Sequence, residues 1–483
     1  MVLLLLCSFL FFYRLGDRDL TSSHEARAAQ NAQTILQTGH WGLARLFDGH
    51  PELQKPPLYY WLTALTAQLH GGTVDAWTVR LPAAVSALAG VLLLFIFLAR
   101  RGRLLAGFVA ALVLATAVHY TWTAHVGRID MPLTLCISVA LWSFVEADNS
   151  ARLRGRLAGQ VIGYLAIAGA VLLKGPIGVV LPAAVLFART FVEGRWRDAW
   201  RLTSLWWGVP LVLLLSGPWF WWVNRETHGR FFEVFFWHHN VERGLGGSED
   251  LAVHPWWYYG PRLFVDFLPW SPLLLAAGWY WLRQGRWRAD ADARLGLVWL
   301  IVMFAGLSCA GFKRADYLLP AYPGAALLLG CAAERWYQTA RQPRRLLAAL
   351  GVVVLAYGLG WWYYLGHVLP VENARRDQWP FARAIRDLAP APRDIVFFRA
   401  EAHALAFHLG KPVATLLEWE NLDRWAGKPR SNYILMPPDC AADWPQYLTS
   451  GRLEPVLDST DLTPGQPPDE RLILMRTVSH RQP

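Results

Sequence analysis

Residues 82–122 read PAAVSALAGVLLLFIFLARRGRLLAGFVAALVLATAVHYTW, which is two apolar stretches joined by a short basic turn. Each stretch is long enough to cross the roughly 30 Å hydrocarbon core of a bilayer as a helix. The turn holds Arg100, Arg101 and Arg103, and such a cluster is typical of a cytoplasmic loop. The pattern predicts a hairpin of membrane helices.

The same pattern recurs along most of the chain and predicts a polytopic α-helical membrane protein with about eleven transmembrane helices. Of the 483 residues, 54% are hydrophobic and only 17% are charged, whereas a soluble domain carries about a quarter charged residues. The first segment lacks the basic start and the cleavage site of a signal peptide, so we interpret it as a membrane helix. The predicted segments are roughly 1–15, 82–99, 104–122, 131–147, 159–173, 175–192, 203–223, 261–282, 294–311, 315–334 and 345–365.

Arginines in the short loops predict the orientation. With a cytoplasmic N-terminus, the basic loops 100–103, 151–156, 193–201, 283–294 and 334–345 all fall inside, as the positive-inside rule requires. These loops explain the formal net charge of +10, so we do not expect a nucleic-acid partner. The outside segments are then 16–81, the turns at 127–130, Lys174 and 312–316, the loop 224–260, and everything after about residue 366.

Two domains are predicted from the change in composition near residue 366. Residues 1–365 form the transmembrane domain, with long outer loops at 16–81 and 224–260. In the first loop, 22–38 and 58–70 have the pattern of amphipathic helices that lie along the membrane surface. Residues 366–483 have the mixed pattern of a small extracytoplasmic α/β domain, with a helix in 375–389 and strands in 394–400, 432–438 and 471–477.

Charged residues from distant parts of the chain are brought by this topology to one depth on the outer face. Each alone has a structural explanation, such as a helix cap, a local ion pair or a lysine anchored at the interface. Together, the cations suit the phosphate or pyrophosphate of a lipid, and a nearby carboxylate suits a general base. The residues are Arg27, Lys55, Arg128, Lys174, Lys313 and Arg314, with the carboxylates Glu25 and Asp130.

A metal site is a further possibility in the long loop 224–260. His238 and Glu242 are one helical turn apart, and with His254 they would make a plausible zinc set. The five cysteines have no metal-binding spacing. We expect no cofactor to be required, and a divalent metal is the alternative.

Five motifs in this order resemble the lipid A aminoarabinose transferase branch of the GT-C superfamily, to which protein O-mannosyltransferases are more distantly similar. They are Glu-x-Arg at 25–27, Lys-Pro-Pro-x-x-Tyr-Trp at 55–61, Asp-x-Pro at 130–132, Lys-Gly-Pro at 174–176, and Lys-x-x-x-Tyr-Leu-Leu-Pro-x-Tyr-Pro at 313–323. The resemblance runs from about residue 15 to 330 and implies an inverting glycosyltransferase in a bacterial inner membrane. Such an enzyme moves a sugar from a polyprenyl phosphate to an extracytoplasmic acceptor such as lipid A, another glycolipid, a glycan or a protein.

The resemblance also implies roles for individual residues. The catalytic candidates are Glu25, His24 and Asp130, and the candidates for binding the donor phosphate are Arg27, Lys55, Lys174, Lys313 and Tyr317. We expect the acceptor or the pocket wall to be contacted by Tyr59, Tyr60, Arg128, His239, Asn240 and Arg243. The partners are then the lipid-linked sugar and the acceptor, and we expect a monomer.

One departure from the family pattern concerns the base. The family has Asp-Glu-x-Arg, and the aspartate is its favoured catalytic carboxylate, whereas this chain has His24 there. A histidine can act as a base near neutral pH, Glu25 can take over, or the acceptor can be a phosphate that needs little deprotonation. The alternatives to a transferase are a flippase for lipid-linked sugars and an inactive relative that acts as a scaffold.

Overall fold

The structure is a computed structural model that describes residues 1–47, 50–242, 254–389, 395–400, 402–410, 413–428 and 432–478, without the side chains of residues 199, 239, 241 and 242. Its described residues divide into two compact units. The first, which we call the helical unit, comprises Met1–Leu15, Leu53–Thr66 and Arg80–Trp361. The second, the sheet unit, comprises Gly16–Glu52, Ala67–Val79 and Trp362–Pro483.

Long apolar helices make up most of the helical unit. Every predicted apolar segment coincides with helical structure, although the segment 261–282 is divided between two helices, Tyr259–Asp266 and Ser271–Gln284. The principal helices up to residue 363 are Val2–Phe12, Ser23–Thr38, Leu58–Leu69, Ala76–Ala99, Leu104–Ala115, Val118–Ala124, Asp130–Asn149, Leu153–Lys174, Ile177–Val192, Leu205–Glu226, Tyr259–Asp266, Ser271–Gln284, Ala291–Ser308, Tyr322–Thr339 and Pro343–Tyr363. A π-helix, Glu233–Glu242, lies in the loop 224–260 that the sequence predicts to be on the outer side.

Five helices of the described chain are long and apolar enough to cross a membrane, or up to seven if each bent pair is one span. The bent pairs are Leu104–Ala115 with Val118–Ala124, at 66°, and Trp196–Thr203 with Leu205–Glu226, at 50°. Val2–Phe12 and Ile177–Val192 are shorter apolar helices. The chain is therefore a mostly helical membrane protein, as the sequence predicts.

Ion pairs join the predicted cytoplasmic loops at one end of the helical unit. Arg101 bonds Glu146 at 2.7 Å and Asp292 at 3.1 Å. Arg103 bonds Asp290 at 2.8 Å and Glu334 at 2.8 Å. These partners come from separate predicted inside segments or their edges, so the structure places those segments at the same end.

A second cluster at this end is centred on Asp148 and Glu193. Asp148 accepts from Arg189 at 2.8 Å and from Arg195 at 3.0 Å, and Glu193 accepts from Arg294 at 3.1 Å. Because Asp148 is near the end of the helix Asp130–Asn149, Asp130 must lie at the opposite end of the unit.

Replacing Arg103 by Ala is expected to destabilise the helical unit by about 3–5 kcal/mol, because it removes the cation that pairs with the largely buried carboxylates of Asp290 and Glu334. The Arg103 side chain is 17% exposed and its partners Asp290, Asp292 and Glu334 are 10–15% exposed. The matched control is Arg100→Ala, since Arg100 is exposed. Thermal unfolding in detergent checks this, and equal melting temperatures for the two variants would contradict it.

The C-terminal part of the sheet unit is an α/β layer structure, as the sequence predicts. Five strands form one sheet in the order β2-β1-β3-β5-β4. The strands are β1 (Ile395–Phe398), β2 (Ala414–Leu416), β3 (Tyr433–Met436), β4 (Arg452–Asp458) and β5 (Ile473–Val478). β2, β1 and β3 are parallel, while β5 is antiparallel to both of its neighbours, β3 and β4.

Helices cover both faces of this sheet. On one face Phe397 packs in a core with Leu405 and Leu409 of the helix His403–Leu409 and with Phe381 of the helix Trp379–Leu388. On the other face Phe398 packs with Leu422 of the helix Trp419–Ala426. Alternate residues of β1 thus face opposite cores, which the continuous apolar run of that strand indicates.

The segment predicted as the first outer loop packs against the C-terminal residues within the sheet unit. Gln30 of the helix Ser23–Thr38 donates from Nε2 to the carbonyl of His403 at 2.7 Å. Asp19 bonds His408 at 2.8 Å, and the rings of Phe47 and Phe407 stack at 6.3 Å. The sequence predicts the helix itself but gives no sign of this long-range contact.

Candidate active site

The centre of the candidate site is an ion pair between the ends of two membrane helices. Lys174 is the last residue of Leu153–Lys174, and Asp130 is the first residue of Asp130–Asn149. The Lys174 Nζ lies 2.6 Å from Asp130 Oδ1, and the two side chains are 16% and 4% exposed. A buried carboxylate at a membrane helix end requires such a partner.

A second ion-paired group extends from this centre. Arg128 lies 3.6 Å from Asp130 through Nε and bonds Asp316 through Nη1. Asp316 also lies 3.2 Å from His119 Nε2. The two carboxylates, Asp130 and Asp316, are therefore bridged by one guanidinium, which fixes their separation.

Next to these pairs is a cavity of about 150 Å³ in the helical unit. Its polar wall has both charge signs, with the cations Lys55 and Lys174 and the carboxylates Asp130 and Asp316. The remainder is mostly apolar, including Leu133, Ile177, Leu181, Phe235, Leu307 and Phe312. This wall suits a small charged headgroup that continues into an apolar chain.

The turn after Lys174 explains how the lysine is aimed. Gly175 has φ +72°, a conformation that only glycine adopts without strain. A Cβ on Gly175 would come within 2.5 Å of the Phe235 ring. Lys174 Nζ in turn lies 3.9 Å from the ring centroid of Tyr317, a cation–π contact. Two aromatic side chains thus hold this turn on the cavity wall.

The Glu-x-Arg motif lies in the sheet unit, and its charges are paired there. Glu25 is fully buried, and each of its carboxylate oxygens lies 3.4 Å from Arg18 Nη2. Arg27 donates to Glu52 from Nη2 at 2.8 Å and from Nε at 3.2 Å. His24 follows directly after Ser23, the first residue of the helix, and is partly exposed.

Other predicted site residues have varied positions. Lys55, Asp130, Lys174, Tyr317 and Asn240 line the cavity, and Asn240 donates from its side chain to the Phe235 carbonyl at 2.6 Å. The remaining positions are outside the cavity lining or outside the described parts.

Lys313 is 3% exposed, and its Nζ donates to the carbonyls of His254 and Ala310. Tyr59 and Tyr60 are buried in the helix Leu58–Leu69. The His239 side chain and all of Arg243 lie outside the described residues.

Asp316 and His119 are site residues that the sequence interpretation did not single out. Asp316 follows Lys313 by three residues in FKRAD, which is predicted to be an outer turn. A carboxylate so close to a predicted membrane boundary was a signal that could have identified it. His119, near the start of the helix Val118–Ala124, carried no comparable signal.

No group of three His, Cys, Asp or Glu side chains in the described parts of the chain could hold a metal ion. The set predicted from His238, Glu242 and His254 is only partly described, because the Glu242 side chain lies outside those parts. No cofactor is indicated by the described geometry.

Residues 54–222 match the profile of the dolichyl-phosphate-mannose-protein mannosyltransferase family. The chain carries a GT-C family domain. The matched region of the GT-C domain contains Lys55, Asp130 and Lys174, three of the residues that line the cavity.

A relative from Pseudomonas aeruginosa, an undecaprenyl phosphate-alpha-4-amino-4-deoxy-L-arabinose arabinosyl transferase, is 31% identical over 340 residues. This match covers 68% of the present chain and 59% of the relative. The chain thus matches about three-fifths of the length of this relative.

Two solved structures share the fold. The crystal structure of ArnT from Cupriavidus metallidurans bound to undecaprenyl phosphate matches with a TM-score of 0.83 and 21% identity, over 100% of this chain and 99% of that one. The archaeal oligosaccharyltransferase AglB from Archaeoglobus fulgidus matches with a TM-score of 0.55 and 13% identity, over 92% of this chain and 69% of that one. These likenesses show that the chain shares its overall fold with these two proteins.

Proposed function

We propose that the chain is an inverting glycosyltransferase that moves a sugar from a polyprenyl phosphate to an acceptor outside the cytoplasm. This proposal rests on one observation, the cavity whose wall contains Lys55, Lys174 and Asp130 next to mostly apolar side chains. It suits the phosphate of a lipid-linked donor, and the relative from Pseudomonas aeruginosa is named for an undecaprenyl phosphate sugar. We propose an aminoarabinose-type sugar as donor and lipid A or a similar glycolipid as acceptor.

In the proposed reaction an acceptor hydroxyl oxygen attacks the anomeric carbon of the donor sugar. A new carbon–oxygen bond forms as the bond from the anomeric carbon to the phosphate oxygen breaks with its electron pair. The polyprenyl phosphate leaves with one more negative charge, and the acceptor hydroxyl proton passes to a base. Since the attack comes from the side opposite the leaving phosphate, the anomeric configuration inverts.

In the proposed reaction, lysine side chains stabilise the negative charge that develops on the leaving phosphate. Lys174 is aimed by its pairing with Asp130 and by the Tyr317 ring, and Lys55 stands on the same cavity wall. In our proposal both contact the phosphate, while Asp130 and Arg128 position Lys174. Preorganised cations of this kind stabilise the transition state more than the ground state. Arg27, which the resemblance implies as a further phosphate ligand, is paired with Glu52, and backbone carbonyls hold the Nζ of Lys313, so neither is assigned to the phosphate in this proposal.

We propose His24 as the general base, from its position in the family motif. Glu25 is fully buried against Arg18, and ion pairing to a guanidinium makes a carboxylate a poor proton acceptor. Glu25 then acts as a positioning residue that holds the start of the helix Ser23–Thr38.

Replacing His24 by Ala is expected to lower the transfer rate about 100-fold or more, the usual contribution of a general base. His24→Asp should retain activity, with the acidic limb of its pH–rate profile moved to lower pH, because aspartate ordinarily titrates below histidine. The measurement is the pH–rate profile of both variants. An unchanged rate in His24→Ala would exclude His24 as the base, and a large gain in His24→Asp would indicate that the natural chain is impaired.

Topology and location extend the proposal. We propose that the chain crosses the inner membrane about eleven times. In this proposal the shorter apolar helices count as spans in addition to the helices that have the full length of a span. The ion-paired loops 100–103, 193–195 and 290–294 would face the cytoplasm, in agreement with the positive-inside rule. The first outer loop, the long loop 224–260 and residues 366–483 would then be extracytoplasmic, and we propose a monomer.

Removing divalent metals is expected to leave transfer unchanged, because the proposed charge stabilisation comes from lysines. Dialysis of the purified protein against EDTA, followed by an assay with and without added Zn²⁺, checks this expectation. A loss that Zn²⁺ restores would favour a metal set that includes His238, Glu242 and His254.

The experiment that tests the proposed function is mass spectrometry of envelope lipids from cells with and without this chain. The expected result is a glycolipid whose mass is greater by one sugar residue only when the chain is present. Identical lipid and protein profiles would contradict the proposal and favour an inactive relative.

A further inference from the structure

The sheet unit contains a cavity of about 800 Å³, separate from the residues assigned to sugar transfer. Cavities of this size accommodate ligands of several rings. The wall is formed by the segments that follow β1 and β3 and the segment that precedes β5, together with Gln378 and with Thr21 and Ser23 from the first outer loop. All these segments belong to the sheet unit.

The cavity lies at the part of the sheet where open α/β sheets generally bind ligands. β1 and β3 are parallel neighbours, so their carboxyl ends meet at one edge. The chain after β1 enters the helix His403–Leu409, which covers one sheet face, and β3 is reached through the helix Trp419–Ala426 on the other face. The strand order 2-1-3 therefore has a switch point between β1 and β3, and crevices outside the carboxyl ends at such points are binding sites.

The residue that follows β1, Arg399, lines the cavity and has an unusual backbone conformation. Arg399 has φ +50°, which is uncommon for a residue with a side chain. Its Nε donates to the Leu417 carbonyl at 2.7 Å, which keeps the guanidinium beside the cavity. Strained residues of this kind cluster at ligand sites.

One buried polar atom without a partner and one half-buried carboxylate belong to residues of the same wall. The side-chain oxygen of Gln378, which lines the wall, is buried without a hydrogen-bond partner in the described chain. Burial raises the pKa of the Glu470 carboxyl, Arg376 opposes the rise, and Asp469 adds to it. A half-buried carboxylate held in this way is typical of a binding site rather than of a solvated surface.

The charges of the wall select the class of ligand. Two ion pairs engage other charges of the wall, because Arg471 lies 2.6 Å from Asp458 and Glu470 lies 3.7 Å from Arg376. Asp439, Asp469 and Arg399 then remain as the principal charges, and their balance is negative, which disfavours a phosphate. The apolar members of the wall are small alanines and prolines with Leu472, which offer little to a lipid chain. Carboxylates spaced around a roomy polar cavity accept hydrogen bonds from several hydroxyl or amino groups at once.

We propose that this crevice binds a hydroxyl-rich saccharide, with Asp439, Asp469 and Arg399 as its polar contacts. The proposal stands independently of the transfer reaction, because none of its residues is assigned to that reaction. Within the proposed function, such a site would hold the glycan portion of the acceptor.

Saturation-transfer NMR on the full chain in detergent tests this, with glucose, glucosamine, maltose and chitobiose as probes. We expect saturation transfer to at least one of them. Asp439→Ala and Asp469→Ala should each weaken binding by a factor of about ten or more, the usual loss of a hydrogen bond to a charged group. The matched control is Asp443→Ala, which changes an exposed residue of the same helix, Pro438–Asp443.

Three outcomes would overturn the proposal. They are no transfer to any sugar, equal binding in the variants and the control, and displacement of the bound sugar by millimolar inorganic phosphate. Circular dichroism of each variant verifies that the α/β fold is intact. Arg399→Gly provides a second test, since it relieves the positive φ while removing one contact, and is expected to bind more weakly without unfolding.

Discussion

Replacing Asp130 by Asn is expected to lower the rate of sugar transfer about 100- to 1,000-fold, the usual effect of removing one preorganised electrostatic group. The carboxylate lies 2.6 Å from Lys174 and 3.6 Å from Arg128. The neutral amide keeps the shape but no longer balances either cation. The ammonium of Lys174 then loses the direction that presents it to a donor phosphate.

If Asp130 had only a structural role, a substitution that restores stability should also restore the transfer rate. A double substitution therefore distinguishes this structural role from a role in transfer. Breaking a buried ion pair from one side costs about 3–5 kcal/mol, whereas removing both charges is often neutral. Asp130→Asn/Lys174→Met should therefore regain thermal stability relative to Asp130→Asn but remain inactive. Recovery of both stability and transfer in the double variant would show that the pair only holds the fold. The comparison is a double-mutant cycle of melting temperature and rate.

Replacing Lys55 by Ala should give the second large effect, again about 100-fold or more in rate. Lys55 lines the cavity beside Asp130 and Lys174, and it precedes Pro56 and Pro57, which fix an extended backbone into the helix Leu58–Leu69. The measurement is the initial rate of transfer at saturating donor, together with donor affinity.

The control for Lys55→Ala is Lys428→Ala, because Lys428 is an exposed lysine of the sheet unit. It removes the same charge and the same methylene groups from a position outside the cavity. Near-equal rates for the two variants would show that Lys55 is an interfacial anchor and not a phosphate ligand.

Hydrophobic patterning was sufficient to predict the helical part of the fold. Apolar runs such as 82–99 are local properties of the chain, and each coincides with helical structure. The orientation signal is local too, since Arg101 and Arg103 lie in a short loop. Their carboxylate partners, Asp290 and Glu334, were not predictable, because such contacts depend on how distant helices pack.

The sheet shows the same division between local and long-range information. Strands β1, β3 and β5 are apolar runs and were predicted, while β2 and β4 were not. β2 has only three residues and β4 contains Pro455, so neither has a clear alternating pattern. The packing of Ser23–Thr38 on His403–Leu409 was missed because the contacts cross more than 370 residues.

For the candidate site, the ordered motifs predict Lys55, Asp130, Lys174 and Tyr317 as site residues, and the structure places these four on the wall of one cavity. The arginine bridge from Asp130 to Asp316 required coordinates. The same is true of the Arg18 partner of Glu25. Sequence identifies charged residues at a boundary, but it does not indicate which of them neutralise one another.

The most direct test of sugar transfer at this cavity uses purified protein in vesicles with radiolabelled aminoarabinosyl-phospho-undecaprenol and lipid A. Label in lipid A and released undecaprenyl phosphate are measured together for the natural chain and for Lys55→Ala. We expect one sugar transferred for each undecaprenyl phosphate released, and little of either product in the variant. Movement of intact donor across the bilayer without labelled lipid A or released undecaprenyl phosphate would contradict the proposal and identify a flippase.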